Sequence, residues 1–503
     1  MTEPGAESAE ESIDESVDES VDVLVIGGGI AGLVTAWELT RLGRSPLVLE
    51  AGPELGGCVG VHEVGGLRLD SGAESYAIAR PSVLALAADL GLADRVVAPA
   101  ALGSWAWTGG AAIPLPPAGL LGVPVHPLSR PVRRALGPVG SARAALDRLL
   151  PAGVGAGRPD EPEAFGRIVR ARMGRRVVER LVEPVVGGVH SASPDSLDAD
   201  VIAPGLRAAL RERGSLAAAV AQLRKPMGPA GAAVRGLAGG VHQLIDALVE
   251  QLPHRIRTRA AVTSLAQRDA GDGRGGWRAS VAGPDGTTST IAARAVVLAV
   301  PAPVAAGLLR PTLTAGTGAV GDGLAALASP DTTDVVLATI VIDEPLLDAA
   351  PRGTGILVAR QATDVAAKAL THATAKWPWL ARQAGPGRHV LRLSYGRGGE
   401  GGDGAAAPQA APAPELLRAT ALADAATLLG VSLDPGRVVD FAIQPWSSAL
   451  PRPGTGHAAR VRALNTQLSE HPGALITGAW IAGNGLAAVV ADARRTAGLL
   501  VAG

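Results

Sequence analysis

The sequence predicts an α/β protein in which a nucleotide-binding sheet is assembled from discontinuous segments, with an α+β domain and a helical insertion set between them. Three observations predict it. A strand–turn–helix–strand unit occupies residues 21–50. Strands alternating with helices return at 228–305 and at 446–503, so sheet-forming text sits at the start, the middle and the end. The stretches between differ in character: 98–227 is mainly helical after a Gly/Pro-rich lead, and 306–445 is rich in strands. Residues 21–97, 228–305 and 446–503 are thus read as one domain, 98–227 as the insertion and 306–445 as the substrate domain.

In chain order, 21–26 (VDVLVI) is a short buried strand, 30–42 an amphipathic helix and 46–50 the next strand. Gly and Pro dominate 98–131, around Trp105 and Trp107, and no long periodic segment survives there. Helical periodicity returns at 132–150 and 163–186, where Arg167, Arg170, Arg172, Arg175, Arg176 and Arg180 predict a basic face. That face is either solvated, the favoured reading, or set peripherally against anionic lipid. A further helix starts near Val241, with Leu244, Ile245 and Leu248 on one side. Strands follow at 261–265, 277–282 and 295–300, with the turn Gly283-Pro284-Asp285-Gly286 between the last two, then at 335–342 and 390–394. The low-complexity run 398–414 predicts a flexible surface loop. Strand 474–477 and helix 486–500 come last.

Composition narrows the chemistry. A formal net charge of -1 gives no basic excess for nucleic acid. Only two Phe, two Tyr and eight Trp occur, so the core is expected to use small aliphatic side chains. The single cysteine, Cys58, excludes an internal disulfide and a cysteine-cluster metal site and points to a reducing, cytoplasmic setting. Its expected role is a small buried filler. Residues 1–20 are acidic and almost free of apolar side chains, which predicts a disordered tail and no secretory signal. No uninterrupted apolar run is long enough for a transmembrane helix.

The strongest local signal is Gly27-x-Gly29-x-x-Gly32 between strand and helix, with Glu50 closing the next strand. In such a fingerprint Gly27 serves the tight turn, Gly29 the approach of backbone amides to a pyrophosphate, and Gly32 the close packing of helix on strand. The helix N-terminus offers free N–H groups and partial positive charge to phosphates. Glu50 can accept hydrogen bonds from ribose hydroxyls. Strand, helix, spacing and acid agree, so the domain is Rossmann-like, with Gly27, Gly28, Gly29, Ala31, Gly32, Glu50 and Ala51 as expected cofactor contacts.

Residues 50–57 (EAGPELGG) place a second glycine pair just after the acid and resemble the FAD-binding amine-oxidase superfamily. The likeness narrows further. GGLRLDSGAESYAIARPS (65–82), PLPPAGLLGVPVHP (114–127), RLVEPVVGGVHSASPDSLDA (180–199), THATAKWPWL (371–380), PWSSALPRPGTGHAARV (445–461) and TGAWIAGNGLAAVVADAR (477–494) resemble segments of the bacterial coproporphyrinogen/protoporphyrinogen oxidases, most closely the Gram-positive type. The resemblance implies FAD as cofactor, with further contacts from Gly57, Gly72, Ala73, Glu74, Ser75, Val262, Trp446, Gly485 and Leu486. Two departures stand out: Cys58 where relatives carry Arg or Lys, and Ala487-Ala488-Val489 where they carry Pro-Asp-Cys.

It also implies the reaction: coproporphyrinogen III is oxidised to coproporphyrin III in haem biosynthesis, by hydride transfer to the flavin and release of hydrogen peroxide from dioxygen. A ferrochelatase would receive the porphyrin downstream. No acid–base set is expected, since the flavin carries the electrons; His190, His242, His372 and His457 stand singly in the sequence and are read as structural or surface residues. Arg80 matches a basic position facing a propionate, Gly188 a glycine close to the macrocycle, and Lys376 is a candidate second cation. Alternatives are protoporphyrinogen IX as substrate, oxidation of amines or carotenoids, and a non-catalytic flavin-containing porphyrin carrier.

Overall fold

The computed structural model describes residues 17–108, 110–116, 119–158, 161–190, 192–223, 233–268, 275–314, 332–396 and 413–502. The expected loop 398–414 falls outside the described residues except for its last two positions, as does the acidic tail up to residue 16. The expected tail is overturned at 17–20. The first strand starts at Glu19, whose carboxylate pairs with Arg257 at 2.6 Å, and Asp18 accepts the Thr290 N–H at 2.8 Å.

A parallel core joins strands from distant text. Ile256–Arg257, Pro46–Leu49, Glu19–Ile26, Thr288–Leu298 and Ala474–Ile476 lie side by side in parallel. The hairpin-linked strands Gly276–Ala282 and Ala261–Arg268 extend the sheet antiparallel. Val23, Leu24 and Val25 show no exposure, as expected of a strand covered on both faces. Helix Ile30–Arg41 is buried along nearly its whole length because helix Leu486–Ala502 and helix Gln243–Glu250 pack against it.

The second sheet runs Val438–Pro451, Thr332–Asp343, Arg388–Tyr395, Ala369–His372, Gly355–Val358, Trp105–Thr108 and Ala111–Pro114. The tryptophan stretch that showed no periodicity is therefore a hairpin at this sheet's edge, with Trp107 donating to Asp364 at 2.9 Å. Leu391, Leu393, Ala338, Ile340, Ile356 and Leu370 face a helix, Pro414–Leu429, and form one core. By the two-residue alternation of strands, the other face looks toward the nucleotide domain.

The helical insertion has its own core around Phe165, Ile168, Leu181 and Leu210. The expected helix at 163–186 is broken: Phe165–Met173 stops at Gly174 (φ 91°), and a π turn, Val178–Val182, precedes helix Glu183–His190. The basic face is also corrected. Arg172 has no exposure; its Nε donates to Asp147 at 2.6 Å and its other N–H groups to the carbonyls of Pro151, Asp147 and Gly214. Asp147 in turn accepts the Leu216 and Ala217 N–H groups, so this ion pair pins the insertion together. Among the described residues no helix is long and apolar enough to cross a membrane.

Candidate cofactor and substrate site

The first turn of helix Ile30–Arg41 points out of the sheet's C-terminal edge. Its N-cap, Gly29, carries no side-chain cap, so the first amides remain available to an anion. A Cβ on Gly27 (φ 108°) would stand 2.6 Å from Ala299 O, and one on Gly32 would run into Gly27 O. A Cβ on Gly29 would meet nothing within 4 Å. The first two glycines answer to the fold, whereas Gly29 answers only to what lies in the space above it. Glu50 is fixed by the Gly28 N–H at 2.7 Å and the Gly52 N–H at 2.8 Å, leaving lone pairs for ribose hydroxyls. Ala260 N–H donates to Glu50 O at 2.9 Å, which brings Val262, two residues on, to this same end. Ala31 is buried under the turn and Ala51 is exposed beside Glu50.

From there a second wall runs away from the ribose end. Gly56 bridges Gly29, and a Cβ on Gly57 would lie 3.5 Å from Gly29 Cα. Cys58, expected to be a buried filler, is exposed instead. The protein atoms packed around it nonetheless push its thiol pKa up. Cys58 O accepts the Ala73 N–H at 2.8 Å, and a Cβ on Gly72 would collide with that carbonyl. The Trp446 indole donates to Ser71 O at 3.2 Å. Glu74 accepts Lys376 Nζ at 2.6 Å and Arg392 Nη1 at 2.9 Å, while Arg392 Nη2 donates to Gly72 O at 2.7 Å and Ser75 Oγ lies 3.5 Å from Lys376 Nζ. Against burial, which alone would raise it, the two cations bring the Glu74 carboxyl down to about 2. Lys376, the candidate second substrate cation, thus has its charge directed at Glu74.

The third wall is the start of helix Leu486–Ala502. Gly483 and Gly485 (φ 92° and 111°) each face open space. Between them Asn484 donates to Pro451 O at 2.9 Å and leaves a buried Oδ1 without a partner. Leu486 is buried, and the apolar first turn that replaces the acid-bearing pattern is held by Ser82 Oγ donating to Ala487 O at 2.5 Å. Arg80, two residues before Ser82, is exposed and forms no ion pair with the described residues.

Opposite these walls stands the inner face of the second sheet. The register places Leu357, Ala369, Ser394, Leu337 and Gln444 in one row across five strands, and Gly355, Thr371, Arg392, Thr339 and Ala442 in the next. Arg392 reaching Glu74 shows that this face meets the nucleotide domain. At about 4.8 Å per strand the row spans roughly 19 Å. Gly188 closes one end, since a Cβ there would lie 2.6 Å from Leu357 Cδ2. Burial alone brings His190, in the same helix, down to about 4, so it is neutral. His242 hydrogen-bonds Asp70 at 2.9 Å and His457 the Trp480 carbonyl at 2.8 Å, both in structural contacts. His372, single in the sequence, meets His389 at 3.1 Å in space. Arg392 belongs to no motif; its only signal is an arginine inside the apolar alternation RHVLRLSY.

The amide-held acid, uncapped helix turn and open wall beyond Gly57 together fit a dinucleotide with a large second head. FAD satisfies that description; Glu50 and Val262 would hold its adenosine end, and Gly72–Ser75, Trp446 and Gly485 would line the way to its ring. Comparison with known proteins agrees. Residues 30–502 match the family described as flavin containing amine oxidoreductase. The coproporphyrinogen III oxidase of Mycobacterium tuberculosis is 31% identical over 491 residues, covering 94% of this chain and 95% of its own. That of Bacillus subtilis is 25% identical, covering 92% and 94%. A crystal structure from Exiguobacterium sp. 255-15 superposes with a TM-score of 0.76 at 24% identity, covering 96% of this chain and 99% of that one.

Proposed function

The chain belongs to the flavin containing amine oxidoreductase family, and from that premise we propose that it oxidises coproporphyrinogen III to coproporphyrin III. The observation that carries this reading is the inner face of the second sheet. Its two rows hold no aromatic ring, so it lacks the paired rings that would enclose an amine, and its width of roughly 19 Å suits a flat tetrapyrrole with its propionates. The relatives named coproporphyrinogen III oxidase support the same substrate class.

When bound, the cofactor would supply two-electron acceptance in three successive steps: three methylene bridges each give up a hydride, the three accompanying protons come from two pyrrole N–H groups and the fourth bridge, and three dioxygen molecules end as three hydrogen peroxide. The chain's own residues bind and orient. Leu357 and Leu337 give apolar contact to the ring faces, and Ser394 and Gln444 offer oxygens in the same row to pyrrole N–H groups. Gly188 keeps the slot thin at the Leu357 end. Arg80, exposed and without an ion pair among the described residues, is the cation assigned to a propionate; it lies two residues from Ser82, which links to the closing helix. Burial holds His190 at about 4, which makes it a poor acceptor for the proton.

Side-by-side aerobic assays with coproporphyrinogen III and protoporphyrinogen IX test the proposal, read as porphyrin fluorescence and peroxide. A clearly higher kcat/KM for coproporphyrinogen III is expected. A preference for protoporphyrinogen IX would move the substrate assignment, and no flavin reduction by either one under anaerobic conditions would overturn the oxidase reading.

A further inference from the structure

We infer that Lys376 and Arg392 are positioning residues that act through Glu74, fixing the Gly72–Ser75 segment and the charge beside the cofactor, and that neither binds the substrate's carboxylates. The substrate part rests on the porphyrinogen-oxidase reading; the cofactor part rests on FAD alone.

Two cations from different elements of the second domain converge on one carboxylate of the nucleotide domain. Arg392 lies inside strand Arg388–Tyr395, and Lys376 ends the short helix Ala373–Lys376. Their distances to Glu74, 2.9 and 2.6 Å, are those of charge-assisted hydrogen bonds. Side-chain exposure is only 8% for Arg392, 14% for Glu74 and 15% for Lys376. In so little solvent a released Lys376 would leave Glu74 Oε1 without its hydrogen-bond donor, so lending the ammonium to a ligand is costly. Arg392 is further tied to Gly72 O, which commits two of its N–H groups to the same segment.

The charge count gives the clamp a second consequence. Two cations against one acid leave one net positive charge. His62, whose imidazole lies in the field of Arg392, is driven toward its neutral form by burial and by that guanidinium, and so adds none. Asp70 is engaged in a separate cluster, by the Val241 and His242 N–H groups and His242 Nδ1. This surplus sits on a segment hydrogen-bonded to Cys58, next to Gly57 and the Gly29 opening. A fixed positive charge there favours the electron-rich, reduced cofactor.

The test uses the FAD-loaded full chain and the variants Lys376→Met, Lys376→Arg and Glu74→Gln. Flavin midpoint potential is measured by dye-linked titration, flavin retention by gel filtration, and kcat and KM with coproporphyrinogen III. Lys376→Met is expected to shift the potential to more negative values, loosen the flavin and lower kcat severalfold, with KM changed by less than about twofold. Lys376→Arg should restore the potential, and Glu74→Gln should shift it the other way. A KM raised about tenfold in Lys376→Met at unchanged potential would make Lys376 a substrate cation and overturn the inference. Unchanged potential in both Lys376→Met and Glu74→Gln would overturn it too, as a purely structural contact. A wild type that holds FAD yet ignores porphyrinogens refutes the proposed function and leaves the potential measurements to decide this inference.

Discussion

The cradle at Gly27–Glu50 and the wall at Leu357–Gln444 face the same opening but are made differently. The cradle is backbone: glycines set where amides point, and its one committed side chain, Glu50, is itself fixed by two amides. The wall is side chains on five strands whose residues lie up to 107 positions apart, from Leu337 to Gln444. A backbone site fails when a Cβ enters it. A side-chain site degrades in steps as individual groups are changed. That contrast teaches where substitutions should be all-or-none and where they should be graded.

The largest effect should come from the cradle. Gly29→Val has room to fold, since a Cβ there meets nothing within 4 Å, yet it fills the space above the helix turn. Purified Gly29→Val is expected to keep a near wild-type melting temperature and carry no flavin. Gly32→Ala should lose the fold itself, because its Cβ runs into Gly27 O. Wild-type flavin content in Gly29→Val would remove the cofactor from this turn.

Next comes the rim of the wall. Arg80→Ala should raise KM for the porphyrinogen and leave flavin content alone. Loss of a charge-assisted hydrogen bond is worth about 1.5–3 kcal/mol, or roughly ten- to a hundredfold in affinity. Unaltered kinetics would return Arg80 to an ordinary surface arginine. Gly188→Ala is a milder case: its Cβ would press on Leu357, a flexible tip, for about 1–3 kcal/mol of overpacking. A KM raised severalfold with a small drop in melting temperature is expected; an effect on flavin content instead would sever the link between this helix and the wall.

The smallest effect is in pH. His190 and His372 sit at about 4 and about 3, below their ordinary 6.5, because burial favours the neutral ring, helped at His372 by the charge of His389. Folding keeps them uncharged while the unfolded chain binds protons. Their contribution to stability is therefore complete above 6.5 and declines as pH falls from there toward about 4 and below. Glu74 follows the same sign in a lower window: its paired carboxylate stabilises fully above 4.5 and loses that support only as pH falls toward about 2. Melting curves between pH 7 and pH 4 should thus show a decline that His372→Gln reduces and Glu74→Gln does not. Equal slopes in wild type and His372→Gln would exclude the histidine as its source.

The cradle was legible in sequence because all its parts lie within some thirty residues and each glycine has a local reason. The closing helix was legible for the same cause, through Gly483-Asn484-Gly485. The wall was not: Arg392 faces Glu74 only because five strands align in one register, and nothing within RHVLRLSY announces its partner 318 positions earlier. The basic face failed at one position, its other arginines being exposed. Helical spacing placed Arg172 among solvated arginines, but its partner Asp147 lies on a neighbouring turn that packs over it. Cys58 misled by residue type, since small apolar-like side chains are usually buried, and here it is exposed.

The parallel sheet described above also sets a timetable for synthesis. Its strands come from residues 19–49, 256–298 and 474–476, and helix Leu486–Ala502 covers one face. A nascent chain leaving the ribosome can finish the hairpins of the second sheet and the insertion early, but the flavin cradle lacks its covering helix, and the sheet its strand Ala474–Ile476, until residues 474–502 are made. Such distant pairing is slow and exposes strand edges while it waits. Cofactor capture consequently waits on residues 474–502, and a ribosome stalled before Ala474 should yield a polypeptide that is partly folded and colourless.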